Sequence, residues 1–141
     1  MMALMDVESA ARGLVAAGQL ARLSAQTQAR MTEWDPDSVE PSLWANAAFR
    51  QIGRAIASKR NPIADKDLKR LFAEIERLLR SADENVSNAV ATDLLEEIWR
   101  ATHHSGFDFS TVNQHLGGEA RRYLLRWDEF NRTTTPGLKA K

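Results

Sequence analysis

The sequence predicts an all-α fold, a single domain built as a bundle or orthogonal array of five to six amphipathic helices. Three observations predict it. Apolar residues recur at helical spacing along most of the chain. The four prolines, at positions 36, 41, 62 and 136, fall between the predicted helices. No stretch alternates β-branched and polar residues as a strand would. We expect residues 1–131 to form the domain and 132–141, which lack periodicity, a flexible C-terminal tail.

The composition narrows the class of protein. A chain of 141 residues is long enough for a core of its own. Its 19 basic and 19 acidic residues balance, which argues against nucleic acid or an anionic membrane as the main partner and leaves homo-oligomers possible. The absence of cysteine excludes disulfides, thiolate zinc sites and thiol nucleophiles. With no apolar run of membrane-spanning length and an N-terminus unlike a signal peptide, we expect a cytoplasmic protein.

The first half of the chain predicts two helices and a loop. The first helix covers about 6–33, and the loop 34–41 that follows contains Trp34. The second helix runs from position 41 or 42 to about 59, with Gly53 on its outward face beside Arg50 and Arg54. Its predicted core residues are Trp44, Ala48, Phe49, Ile52, Ala55 and Ile56.

The third and fourth helices are predicted over about 65–81 and from 81 or 83 to about 103. The third has the most regular apolar stripe of the chain, and its wet side carries two predicted i,i+4 ion pairs, Arg70–Glu74 and Glu76–Arg80. That stripe consists of Leu68, Leu71, Phe72, Ile75, Leu78 and Leu79. Gly106 ends the fourth helix. The same helix has Val90, Leu94, Leu95, Ile98 and Ala101 facing inward, with Asp93, Glu96, Glu97 and Arg100 on the opposite face.

Two further helices complete the prediction. Ser110 is expected to cap a short helix that extends to Leu116, and the following Gly117-Gly118 stops it. The last helix covers 119–130. Its expected core face consists of Ala120, Tyr123, Leu124, Trp127 and Phe130.

No catalytic, cofactor-binding or metal-binding motif is recognisable. The adjacent histidines His103 and His104 diverge by about 100° on a helix, so they do not suit one metal ion, and they are better explained by the negative end of the helix dipole. His115 and Asp108 complete that metal alternative.

Charged helix faces are the remaining candidates for a binding site. The carboxylates of Asp93, Glu96 and Glu97 form either a solvated face or a surface for a partner, with Arg100 neutralising part of their charge. A second candidate face contains Arg121, Arg122 and Arg126, suited to phosphate or to an acidic protein surface. Interleaved acidic residues weaken the DNA-binding alternative that its helix-turn-helix outline allows. Trp34 is a third candidate contact.

The segment 94–131 resembles a group of small helical bacterial proteins, some of which look like immunity proteins encoded beside polymorphic toxins. The matching residues are Leu95, Glu96, Phe109, Val112, Leu116, Gly117 and Arg121. The resemblance implies a protein that is not an enzyme and that binds and blocks a partner. Because no cofactor motif is present, we also expect no cofactor. We therefore expect a protein-binding domain with the acidic face as its first contact surface. The alternatives are a DNA-binding or transcription-associated domain and a self-associating structural bundle.

Overall fold

The computed structural model describes Ala10, residues 41–59 and residues 63–139, with the side chains from position 49 onward in the first of those ranges. These ranges contain helices and no strand, which confirms the all-α prediction. The predicted first helix and Trp34 lie outside the described residues, apart from Ala10, which is helical and buried. The predicted core positions Trp44 and Ala48 lie outside the described side chains.

The first two described helices are α1 (Pro41–Ile56) and α2 (Asp65–Leu79). Proline suits the first position of α1, since its missing N–H has no partner there in any helix. On α2 five of the six predicted stripe residues are buried, as a repeat of three and four residues requires, and the sixth, Leu79, is half-buried. Its buried residues are Leu68, Leu71, Phe72, Ile75 and Leu78. Each such side chain contributes about 1.5–3 kcal/mol by leaving water.

The predicted fourth helix is one continuous run of three parts: α3 (Glu84–Ala89), a π-helical segment (Val90–Leu95) and α4 (Glu96–Ser105). It begins where the Asp83 carboxylate accepts a hydrogen bond from the Asn85 N–H, at 2.9 Å. It ends at Gly106, which has the left-handed φ of 73° that glycine adopts without strain. The observed start and end of this helix agree with those predicted from the sequence, whereas the π-helical segment was not predicted.

Gly53 of α1 lies against this π-helical segment. A Cβ at position 53 would lie 2.7 Å from the Leu94 carbonyl oxygen and 2.9 Å from Glu97 Cβ. The backbone of α1 therefore approaches its neighbour closely because position 53 has no side chain. The prediction that Gly53 faces away from the core was wrong.

The last two helices are α5 (Ser110–Asn113) and α6 (Gly118–Phe130). The α5 turn begins at Asp108, whose carboxylate accepts from the Ser110 hydroxyl at 2.6 Å and the Ser110 N–H at 3.0 Å. These two hydrogen bonds lower the pKa of Asp108, the hydroxyl bond more than the backbone bond. Asp108, and not the predicted Ser110, is thus the capping side chain.

A carboxylate from α2 caps the start of α6. Glu76 accepts hydrogen bonds from the N–H groups of Glu119, at 2.7 Å, and Ala120, at 3.1 Å. Gly117, the residue before α6, makes room for it, because a Cβ there would lie 2.6 Å from Glu76 Cγ. The predicted pair of Glu76 with Arg80 is also present, at 3.3 Å. The predicted pair Arg70–Glu74 was wrong, because Glu74 pairs with Arg77 instead. One side chain therefore joins two helices and satisfies two of the free N–H groups of the second.

The residues after α6 fold back onto the domain. Thr135 and Leu138 are buried, and the Arg121 guanidinium donates to the Lys139 carbonyl oxygen. The sequence has no periodicity here and predicted a flexible tail; the structure instead attaches residues 135–139 through specific contacts.

The helices pack around one apolar core. α1 packs on the π-helical segment and α4, while α2 contacts α3, the π-helical segment and α6. The largest fully buried side chains come from the longer helices and from Phe109, the residue before α5. Those on the helices are Phe49, Ile52, Leu71, Phe72, Ile75, Leu78, Leu94, Leu95, Ile98 and Leu124. Among the described helices, none combines the length and the apolar character that crossing a membrane requires.

Candidate functional site

Two of the three predicted acidic contact residues form ion pairs with α1. Asp93 lies 3.3 Å from Arg50 Nε, and Glu97 lies 3.7 Å from Arg54 Nε. Burial raises the pKa of Asp93, and the hydrogen bond from Arg50 opposes that shift. These carboxylates therefore help to hold α1 against the neighbouring helix.

Glu96, the third acidic residue, is buried at 7 % exposure. Its carboxylate accepts a hydrogen bond from the Tyr123 hydroxyl of α6, and Arg100 lies 3.7 Å away. Burial, together with this carboxylate, raises the pKa of Tyr123 well above its ordinary value. The prediction that Glu96 points away from the packed side was wrong. The predicted neutralisation by Arg100 is confirmed, since its guanidinium also lies 3.5 Å from Glu97.

The three predicted arginines have different environments. Arg121 donates to the side-chain oxygen of Asn113 at 2.9 Å and to the Asn113 carbonyl oxygen at 3.0 Å, so its guanidinium is occupied inside the fold. Arg122 is exposed and pairs with Glu119 at 2.9 Å. Arg126 is exposed and has no hydrogen bond or ion pair with any part of the chain that the structure describes.

The histidines take part in separate local contacts. His103 Nε2 lies 2.9 Å from the Thr135 hydroxyl, and His115 Nε2 lies 2.8 Å from the Asp65 carboxylate. Within residues 41–59 and 63–139, no group of three or more His, Cys, Asp or Glu side chains is placed to hold a metal ion.

A buried polar junction joins α4, α6 and the C-terminal segment. The Asp128 carboxylate accepts from the Trp99 indole N–H at 2.7 Å, the Thr135 N–H at 2.9 Å and the Thr135 hydroxyl at 2.6 Å. Because that hydroxyl donates to Asp128, it accepts from His103 Nε2, which must then carry a proton. Thr135 is 1 % exposed, so its hydroxyl is not accessible to a substrate. The junction therefore has a structural role.

The outward side of α6 has a different character. Phe130 is 69 % exposed and is the one large hydrophobic side chain at the surface of the described chain. Its ring centre lies 5.4 Å from that of Trp127, which stacks at 6.4 Å on Tyr123. Arg122 and Arg126 precede Phe130 at intervals of four residues, so they lie along the same side of the helix. We call these five residues the α6 outer face.

Phe130 was predicted to be a core residue, and this was wrong. Helical spacing places it beside Trp127, but α6 ends at Phe130 and the chain turns back at Asn131 and Arg132. No helix packs over this last position in the described structure, so the ring stays in water. The sequence gives one usable signal, which is that Phe130 is the last periodic residue before a polar segment.

Comparison of the chain with models of known protein families, with curated proteins and with solved structures gives no match.

Proposed function

We propose that the chain is a non-catalytic protein-binding domain and that its partner contacts the α6 outer face. The exposed ring of Phe130 is the observation that supports this most strongly. An aromatic ring in water favours association, since covering it removes apolar surface from solvent. Trp127 contacts this ring, and Arg122 and Arg126 lie on the same side of the helix; Trp and Arg are among the residue types that dominate the binding energy of protein interfaces.

The acidic residues are less suited to be the contact surface than we expected from the sequence. Asp93 and Glu97 meet arginines of α1, and Glu96 is buried against Tyr123. A basic partner would have to compete with these internal pairs. The arginine face was the second candidate from the sequence, and it is now the better one. It consists of Arg122 and Arg126 only, because Arg121 is bonded inside the fold.

Nucleic acid is a weaker alternative partner. Helix α6 carries three arginines, and they are balanced by Glu119, Asp128 and Glu129. A phosphate-binding surface normally concentrates positive charge on one face. The resemblance of residues 94–131 to immunity-type proteins makes a toxin the first kind of protein partner to test.

Site-specific photocrosslinking tests the proposal. A photoreactive phenylalanine analogue replaces Phe130 in one variant and Ala73, an exposed residue of α2, in a matched control. In extract of the native cells, we expect a discrete protein adduct from position 130 that is missing from position 73. Equal adducts from both positions, or none from position 130, would refute the proposal. An adduct that nuclease removes would favour the nucleic-acid alternative.

A further inference from the structure

Two exposed arginines without partners lie on either side of Phe130 in the sequence. Arg126 precedes it by one helical turn, and Arg132 follows it by two residues. Neither makes a hydrogen bond or ion pair through its side chain with the described chain. Most other described arginines do make one, as with Arg50, Arg54, Arg77, Arg80, Arg100, Arg121 and Arg122. Arg70 of α2 is a further exposed arginine without a partner, and it provides a natural control.

The backbone of Arg132 is unusual. Its φ is 53°, the one positive value for a residue other than glycine in the described chain. Here the Arg132 N–H donates to the Glu129 carbonyl at 3.1 Å and the Thr133 N–H to the Asp128 carbonyl at 3.0 Å, which closes the end of α6. Glycine is the usual residue at such a position. Backbone strain of this kind is concentrated at functional sites, which is a reason to ask what the exposed Arg132 side chain binds.

We infer that the partner of the α6 outer face is an acidic protein segment, in which carboxylates flank an apolar side chain. This inference rests on the proposed function. The apolar group would cover Phe130, while Arg126 and Arg132 would each donate two parallel hydrogen bonds to a carboxylate. A guanidinium suits this task because its planar set of donors matches the two carboxylate oxygens.

Glu129 limits how this recognition works. It is exposed and lies about 100° around the helix from Phe130, so the local excess of positive charge is small. Long-range attraction is therefore weak, and selectivity comes from short-range hydrogen bonds. Replacing arginine by lysine, which keeps the charge but loses the paired donors, should then weaken binding as well.

Selection from a library of random displayed peptides tests the inference, with the full chain immobilised. We expect the recovered peptides to be enriched in Asp and Glu around a large apolar residue. Their affinity should fall about 30-fold with Phe130→Ala and about tenfold with Arg126→Gln. Arg132→Asn should also cost about tenfold, since asparagine tolerates the left-handed conformation and removes only the guanidinium. Arg70→Gln should leave affinity within about twofold, as for a residue outside the interface.

The other outcomes separate the two proposals. Peptides that depend on Phe130 but show no acidic enrichment would overturn the inference and leave the proposed function standing. The same holds if Arg126→Gln and Arg70→Gln have equal effects. Failure to recover peptides that depend on Phe130 would count against the proposed function itself. Tighter binding of a DNA oligonucleotide than of any acidic peptide would overturn both.

Discussion

Replacing Glu76 by alanine should destabilise the domain by about 2–3 kcal/mol. Losing a side chain that caps one N–H costs about 0.5–2 kcal/mol. Glu76 accepts from two N–H groups with its two oxygens, and its side chain is 13 % exposed, so water replaces it poorly. Its charge also interacts favourably with the positive end of α6, which contributes about 0.3–1 kcal/mol. We therefore expect Glu76→Ala to lower the free energy of unfolding by at least as much as the largest losses measured for a single capping side chain, about 2 kcal/mol.

Urea unfolding followed by circular dichroism measures this cost. Glu74→Ala is the matched control, since Glu74 lies on the same helix and pairs with Arg77 near the surface, a contact worth about 0–1 kcal/mol. Glu76→Gln should show an intermediate loss, because the amide retains one acceptor oxygen. A loss below about 1 kcal/mol for Glu76→Ala would show that the cap contributes no more than an exposed contact.

Gly117 gives a second, independent test of the same contact. A methyl group at position 117 would displace the Glu76 side chain. Gly117→Ala should therefore destabilise the native sequence, and cost at least about 1 kcal/mol less once Glu76 is already alanine. Equal costs in the two backgrounds would refute the argument that glycine is needed at position 117 to admit the carboxylate.

Three further predictions concern α6 and the segment after it. Tyr123 is the single tyrosine of the chain, and its pKa in the folded protein is raised above the unfolded value of 10.0. The buried, protonated Tyr123 therefore contributes its full stability below pH 10.0, and this contribution is lost as the pH rises toward the folded pKa. Tyrosinate absorbance should thus appear together with alkaline unfolding; ionisation of the folded protein near pH 10 would contradict this. Arg132→Gly should raise stability by about 0.5–1 kcal/mol in thermal unfolding, because the relief of left-handed strain exceeds the cost of the greater freedom that glycine gives the unfolded chain. A loss of stability would show that Arg132 is not strained. Thr135→Val should cost about 1–3 kcal/mol because it removes a donor to buried Asp128, whereas Thr135→Ser should retain most of the stability, and equal losses would assign the effect to packing.

Helix positions could be predicted from the sequence where the determinants are local. The stripe on α2 and the stop at Gly106 follow from spacing and from one left-handed residue, and both are confirmed. Phe130 shows the limit of spacing alone. Periodicity gives the side of a helix on which a residue lies, but it does not tell whether another element covers that side.

Glu96 was misplaced for a different reason. The prediction assumed a uniform α-helix through the fourth predicted helix, whereas the segment Val90–Leu95 is π-helical. A π-helix turns through a smaller angle per residue, so every residue after it is rotated relative to the α-helical expectation. This rotation brings Glu96 toward Tyr123 of α6. No residue in the segment signals the change, and the segment packs closely against α1, a contact that the sequence does not reveal.

The candidate site combines predictable and unpredictable parts. Arg122 and Arg126 could be identified as a charged face, but the separation of Arg121 from them depends on Asn113 and Lys139, which are distant in sequence. The left-handed conformation of Arg132 could not be predicted either, because a positive φ at arginine has no sequence signature.

The junction at Asp128 has a consequence for finding related proteins. A buried carboxylate needs its hydrogen-bond donors, so substitutions at these positions should be correlated in any chain that shares this fold. Trp99 and Asp128 are 29 residues apart, and Thr135 follows Asp128 by seven. This tryptophan, aspartate and threonine at fixed spacing form a three-residue pattern that should persist after overall sequence similarity has been lost.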